Sequence, residues 1–319
     1  MTPTDLAVAG TLSFVATFLF AAWHIRALRG STVVGIDIHK RNSPRIAEMG
    51  GASLLVGFYI GMSVLAIFAT TVPPPVFNSA LLAILGAGFV GLLDDLFAIR
   101  RRYKAILPFI ASLPLGIVEF SSHATSILGL DVGAFTILLI PLGITSAANA
   151  SNMLEGFNGL GAGLGIIMCI GLIALSFMLG AQGGQFVLVP LLGALLAFLW
   201  YNRYPARIFP GDSLTLCVGA AIACAAIIST PSFKMFGFFL FVPMIVEFVL
   251  KARGRFRAEN YSTLLPDGRL LYQGRIESLT HFITRTGRYR EWQVVSILWG
   301  AESLLVAVLL VGARLLATG

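Results

Sequence analysis

Three short stretches carry carboxylates, amides and basic side chains at spacings that could do chemistry. Residues 149–165 read NASNMLEGFNGLGAGLG, an apolar run interrupted by Asn149, Asn152, Glu155 and Asn158 and closed by a ladder of glycines. Asn149, Asn152 and Glu155 are spaced i, i+3, i+6, so on a helix end they share one side. Asn158-Gly159 predicts a turn before the apolar pattern resumes. In DDLFAIRRRYK (94–104), Asp94 and Asp95 end an apolar run and are followed by Arg100, Arg101, Arg102 and Lys104. Carboxylates at a helix C-terminus oppose the helix dipole, so a cation is expected beside them. In NRYPARIFPGDSLTL (202–216), Phe209 precedes a Pro210-Gly211 turn, and Asp212 is expected to cap the next helix. Singly, these are a helix cap, a membrane-boundary charge cluster and an N-cap. Together they supply carboxylates that could share Mg²⁺ with substrate phosphates. With nearby basic groups, these are the parts of a phosphoryl-transfer site, where a protein mainly positions groups and stabilises charge.

The elements that must position them are membrane helices. Of 319 residues, 57% are apolar and only 12% charged, and the mean hydropathy is +0.88. A soluble core cannot absorb that much apolar surface, so the chain reads as an all-α polytopic membrane protein. Ten spanning helices are expected, over 4–25, 49–71, 77–97, 105–121, 133–150, 159–180, 185–202, 212–230, 234–252 and 292–317. Sorting the connections by alternate sides places 20 of the 22 Lys and Arg on one side, leaving Lys234 and Arg314. The positive-inside rule makes that side cytoplasmic and puts both termini outside. It also accounts for the net charge of +7 without a nucleic-acid partner. The first apolar run has no basic region before it, so no cleavable signal peptide is expected. Cys169, Cys217 and Cys224 lie inside apolar runs and predict neither disulfides nor a thiolate metal site. The chain reads as one domain over 1–319, with 253–291 as a cytoplasmic substrate-binding loop.

All three polar stretches fall on the cytoplasmic side. So does GIDIHKRNSPRIAEMGG (35–51), where His39 is expected to be solvated and Glu48 precedes a helix entering the bilayer. The last cytoplasmic loop begins with the basic KARGRFRAEN (251–260). TLLPDGRLLYQ (263–273) predicts a β-hairpin around Pro266-Asp267-Gly268. RIESLTHFITRTGR (275–288) places Ile276, Leu279, Phe282 and Ile283 on one face, an amphipathic helix at the membrane surface.

The three motifs, in this order and on this side, resemble the polyprenyl-phosphate N-acetylhexosamine-1-phosphate transferase superfamily nearly end to end. Its members move a sugar-1-phosphate from a UDP-sugar to a polyprenyl or dolichyl phosphate, release UMP and use Mg²⁺, with Mn²⁺ able to substitute. The first cytoplasmic loop and the GFNGL sequence are similar to the archaeal and eukaryotic GlcNAc-1-phosphate transferases. RGRFR (253–257) lacks the histidines of the bacterial muramoyl-pentapeptide branch. The resemblance implies Mg²⁺ held by Asn152, Asp212 and the donor diphosphate. It puts Lys104 on the diphosphate and Arg253 and Arg255 on its phosphates and the sugar. It implies Asn158 hydrogen-bonding the uracil, Phe209 stacking on it, Glu48 near the nucleoside, and Asn149 and Glu155 lining the substrate site. Glu155 departs from the family pattern. Asp94 and Asp95 would lie beside the attacking lipid phosphate. Because that monoester's second pKa is about 6, orientation by these carboxylates is as plausible as general-base catalysis. The resemblance is compatible with a homodimer.

A secondary transporter would also carry intramembrane polar groups, but near the midplane and usually with repeat symmetry. Here they cluster at the cytoplasmic ends and no repeat is evident. A non-catalytic lipid-binding protein would not need Asp, Asn and Arg at all three positions.

Overall fold

The computed structural model describes residues 2–68 and 72–318. Helix α1 (Pro3–Ala27) leads into a hairpin of β1 (Val34–Ile36) and β2 (Arg45–Ala47), followed by α2 (Gly51–Phe68), α3 (Pro74–Phe97) and α4 (Arg101–Ser121). A second small hairpin, β3 (Ser126–Ile127) and β4 (Leu130–Asp131), precedes α5 (Thr136–Leu154), α6 (Leu160–Leu179), α7 (Gln185–Asn202) and α8 (Gly211–Ile227). Then come α9 (Pro231–Leu240), α10 (Val242–Arg253), the hairpin β5 (Thr263–Leu264) and β6 (Leu270–Leu271), α11 (Leu279–Thr284) and α12 (Glu291–Thr318).

Seven of these helices are long and apolar enough to cross a membrane, and the α9–α10 pair makes eight if it is one span. Two more expected spans coincide with shorter apolar helices, α2 and α8. Residues 69–71, the end of the second expected span, lie outside the described residues. The expected single helix over 234–252 is two helices bent by 50° around Phe241. Pro243, in the first turn of α10, has no N–H to continue the α9 ladder.

Helix α8 is the hub of the bundle. Every residue from Ser213 to Ala226 is buried, as expected for a helix apolar on all sides. It packs along α3 and α5 and also touches α2 and α7. The approach to α3 is close enough to require a glycine. A Cβ on Gly91 would lie 2.4 Å from the Asp212 carbonyl and 2.5 Å from the Ser213 Cα. One turn further along α3, Asp95 therefore arrives directly at the first turn of α8.

The connecting segments at this end of the bundle are sewn together. Ile208 bridges in parallel to Ala47, and the Phe209 N–H donates to the Ala47 carbonyl at 2.8 Å. The Gly50 and Gly51 N–H groups donate in turn to the Phe209 and Pro210 carbonyls, at 2.9 and 2.7 Å. The β5–β6 hairpin forms around Pro266-Asp267-Gly268 as expected, with Gly268 at φ +84°. The amphipathic helix expected over 275–288 does not form. Only α11 is helical, with polar Thr280, His281 and Thr284 buried and Phe282 exposed. Glu247 of α10 fixes its start by accepting from the Ser278 hydroxyl at 3.1 Å and the Leu279 N–H at 2.8 Å.

His39, expected to be solvated, is buried. Its ring packs on Phe157 at 4.8 Å, and its Nε2 accepts from the Ser262 N–H at 3.4 Å. Burial pushes its pKa down to about 4, against about 6.5 for a free histidine. The folded state therefore holds a neutral ring that the unfolded chain would protonate. The resulting stability is present above about pH 6.5 and lost as pH falls toward 4, an upper limit of about 3 kcal/mol. Limited proteolysis of the 253–291 loop should accelerate across that window, and His39→Phe should flatten the pH dependence. An unchanged profile in the variant would remove His39 as the cause.

Candidate active site

The three polar stretches meet at one end of the bundle. α3 brings Asp94 and Asp95, α4 brings Lys104, α5 brings Asn152 and α8 brings Asp212. The Lys104 ammonium lies 3.1 Å from the Asp94 carboxylate and also contacts that of Asp212. It supplies the cation that a carboxylate near the C-terminus of α3 requires. Asn152 donates to Asp212 Oδ2 at 3.2 Å, and the Thr215 hydroxyl donates to Asn152 Oδ1 at 2.9 Å. Lys104, Asp94 and Asp212 keep exposed fractions of 17%, 20% and 22%, so the cluster is open to a ligand.

Asp95 has a different environment from its neighbour. Its Oδ1 accepts the Asp212 N–H at 2.7 Å, and its Oδ2 accepts the Ser213 N–H at 3.2 Å and the Ser213 hydroxyl at 2.7 Å. The expectation that Asp212 caps its own helix is thus corrected. Pro210 is the N-cap residue, it makes no side-chain capping bond, and Asp95 supplies the carboxylate from across the helix pair. That leaves the Asp212 carboxylate for Lys104 and Asn152.

Glu155 ends α5 in extended conformation, so it departs from the face shared by Asn149 and Asn152. Its two oxygens accept the N–H groups of Gly156 (3.2 Å) and Gly161 (3.0 Å), bracing the loop that carries Asn158. Burial pushes its carboxyl up to about 7. Asn149 turns back on its own helix, donating to the Thr145 carbonyl at 2.9 Å.

Phe209 and Glu48 are brought together across Gly35. A Cβ on Gly35 would lie 2.4 Å from a Glu48 oxygen and 2.9 Å from the Phe209 ring. The Glu48 carboxyl is pushed up by burial and, secondarily, by the charge of Asp95. Arg253 and Arg255 are not drawn into the acidic cluster. Both are exposed, and the Arg253 guanidinium donates to the Ile276 carbonyl.

A family model described as glycosyl transferase family 4 matches residues 77–230, from α3 through α8. Proteins provisionally named UDP-N-acetylglucosamine–dolichyl-phosphate N-acetylglucosaminephosphotransferase, from Saccharolobus solfataricus and Sulfolobus acidocaldarius, are each 36% identical. The alignments cover 93% and 94% of this chain and 93% of each relative. The chain belongs to glycosyl transferase family 4. A family relative from Shouchella clausii, named phospho-N-acetylmuramoyl-pentapeptide-transferase, is 28% identical over 90% of the chain and 91% of its own length.

Sequence reasoning missed the residues that hold the family motifs in place. Asn202 accepts the Gly159 N–H at 3.1 Å and donates to the Ile208 carbonyl at 2.9 Å, tying the second motif to the third. Asn260 of the last loop donates to the Met153 carbonyl at 2.8 Å. Asp37 and Glu291 both bond Asn158. Their signal in the sequence was polarity alone, at a helix end for Asn202 and Glu291 and in a connection for Asp37 and Asn260.

Proposed function

We propose that this protein transfers GlcNAc-1-phosphate from UDP-GlcNAc to a polyprenyl or dolichyl phosphate, releasing UMP. The observation carrying this reading is the meeting of Asp94, Lys104, Asn152 and Asp212 from four helices. The relatives' names, similar over nearly the whole chain, support the donor and acceptor classes. In the step proposed, an acceptor phosphate oxygen bonds to the donor's β-phosphorus, and the bond from that phosphorus to the bridging oxygen breaks. UMP leaves with the electron pair. Lys104 places positive charge beside the diphosphate, which stabilises charge gathering on the leaving phosphate. The acceptor monoester is mostly dianionic at pH 7, so no residue must take a proton from it.

Mg²⁺ fits the donor set, with Asp212 and Asn152 as the residues that would hold it; Mn²⁺ would serve similarly. The Lys104 ammonium against Asp94 and Asp212 indicates a pocket suited to positive charge. Two protein oxygens plus phosphates are a common arrangement for this hard cation. When bound, the metal would neutralise diphosphate charge as a Lewis acid. Phe209 would stack on the nucleobase with Glu48 beside the nucleoside, and Arg253 and Arg255 would reach the sugar-bearing half of the donor.

The reading places ten spans in the cell membrane, both termini outside and the site facing the cytoplasm. Release of UMP in detergent, assayed with UDP-GlcNAc, UDP-GalNAc and simpler phosphosugars, is the direct test. UMP release from UDP-GlcNAc that needs the lipid phosphate supports the proposal, and none from any UDP-sugar would end it. For topology, cysteines in the 181–184 turn should label from outside and those in 265–270 only from inside. The reverse pattern would put the site on the wrong face.

A further inference from the structure

The first cytoplasmic hairpin carries a network that the transfer chemistry leaves unexplained. Asn158 is buried, and its Nδ2 donates to Asp37 Oδ2 at 2.9 Å. Its backbone N–H donates to Glu291 Oε1 at 2.9 Å. Lys40 lies between the two carboxylates, 3.2 Å from Asp37 and in contact with Glu291. The other Asp37 oxygen accepts the His39 N–H at 3.2 Å. Two segments far from it in sequence thus converge on one asparagine's side chain and backbone.

An asparagine amide is a donor on one side and an acceptor on the other, and its orientation follows from its partners. An ionised carboxylate only accepts. The reverse orientation of Asn158 would set its carbonyl oxygen against Asp37 and leave two buried acceptors facing each other. Asp37 therefore holds the NH₂ toward itself and turns Oδ1 to the opposite side. Among the described residues no protein donor to that oxygen is found.

The hairpin also links this amide to the aromatic side of the site. Gly35 and Asp37 are two residues apart on extended backbone, and the Asp37 N–H continues the ladder by donating to the Pro44 carbonyl at 3.0 Å. Residues i and i+2 on a strand share a face, about 7 Å apart. On that face Gly35 borders the Phe209 ring and Asp37 fixes Asn158. A ring and an oriented amide along one strand face are what a planar base needs for stacking and edge readout.

We propose that Asp37, supported by Lys40, is a specificity-determining residue that locks Asn158 with its oxygen outward, so that the site accepts a base with an imide N–H and rejects one without it. Uracil offers such an N3–H. Cytosine presents a bare N3 acceptor there, which would face another acceptor. The inference rests on the uridine-donor reading above and adds to it the group that sets base choice.

The test is calorimetric titration of UMP and of CMP into the full-length protein in detergent. The wild-type protein should bind UMP at least about tenfold tighter than CMP, since an unpaired buried acceptor costs a factor of that order. Asp37→Asn keeps the side chain's size but offers a donor as well as an acceptor, so Asn158 can settle either way. The UMP:CMP ratio should then fall below about threefold, mainly through loss of UMP affinity. Asn158→Ala gives the ratio expected with no reader, and adding Asp37→Asn to it should change the ratio no further. Thermal melts identify any variant that fails to fold, and Lys40→Met then tests the same lock by loosening Asp37. Its ratio should fall as well. UMP binding with an unchanged ratio in the folded variants, or an equal loss for both nucleotides, overturns the lock and leaves the uridine donor standing. Wild-type protein that binds neither nucleotide overturns the donor reading, and the lock with it.

Discussion

Asp212→Asn is expected to lower UMP release by at least about 10²-fold in protein that still folds, the loss typical when a major electrostatic contribution is removed from an active site. The variant keeps the side chain's size. It keeps the backbone N–H that donates to Asp95, so the start of α8 should be undisturbed. What disappears is the negative charge facing Lys104 and, in the proposed reading, a hard cation. Asn152→Ala should lose a similar amount, because Asn152 donates to the same carboxylate and is the second proposed metal ligand. Thermal melting in detergent separates this from unfolding. Near-normal turnover in either variant would place the metal elsewhere.

Asp95 should also be indispensable, for a different reason. Its carboxylate takes three hydrogen bonds at the first turn of α8, two from backbone N–H groups. Asp95→Ala leaves those groups without their partner, a loss of about 1–2 kcal/mol for a capping interaction. It also frees Asp212 to move, and a displacement of about 1 Å at a reacting site can cost about 10²-fold in rate. Activity should fall by that order together with a lower melting temperature. Asp95→Asn, which retains one acceptor oxygen, should recover part of both. A general base would behave otherwise. Asn and Ala would then be equally inactive, with no change in melting. The acid limb of the wild-type pH–rate profile would also be missing from the residual activity.

The contrast between these neighbouring aspartates shows what the sequence revealed and what it did not. The helices could be read because their apolar runs are long, and the site because three polar motifs interrupt those runs at one end. The division of labour between Asp94 and Asp95 was hidden. It depends on which side of α3 faces Gly211–Ser213, and hence on the close packing at Gly91. The 50° bend at Phe241 was missed because no charge interrupts the run from Met235 to Val246. His39 was misread for the opposite reason. Charged neighbours suggested solvent, but Phe157, Tyr261 and Ser262, distant in sequence, enclose it. For Asp95 and His39 the deciding contacts were long-range, whereas the bend has a local cause in Pro243.

The pairing of Phe209 with Ala47 and Gly50 also has a consequence for biosynthesis. One wall of the pocket is made early on the ribosome, in the hairpin that follows the first helix. Its counterpart is made only after six more helices, α2 to α7, have emerged. The clasp on Asn158 needs Glu291, which begins the final helix. A chain halted before Ile208 would hold several helices but lack one wall of the proposed nucleotide site. One halted before Glu291 would have the pocket without its final fastening. In the proposed reading, the nucleotide site is therefore fully fastened only once the helix that Glu291 begins has been made.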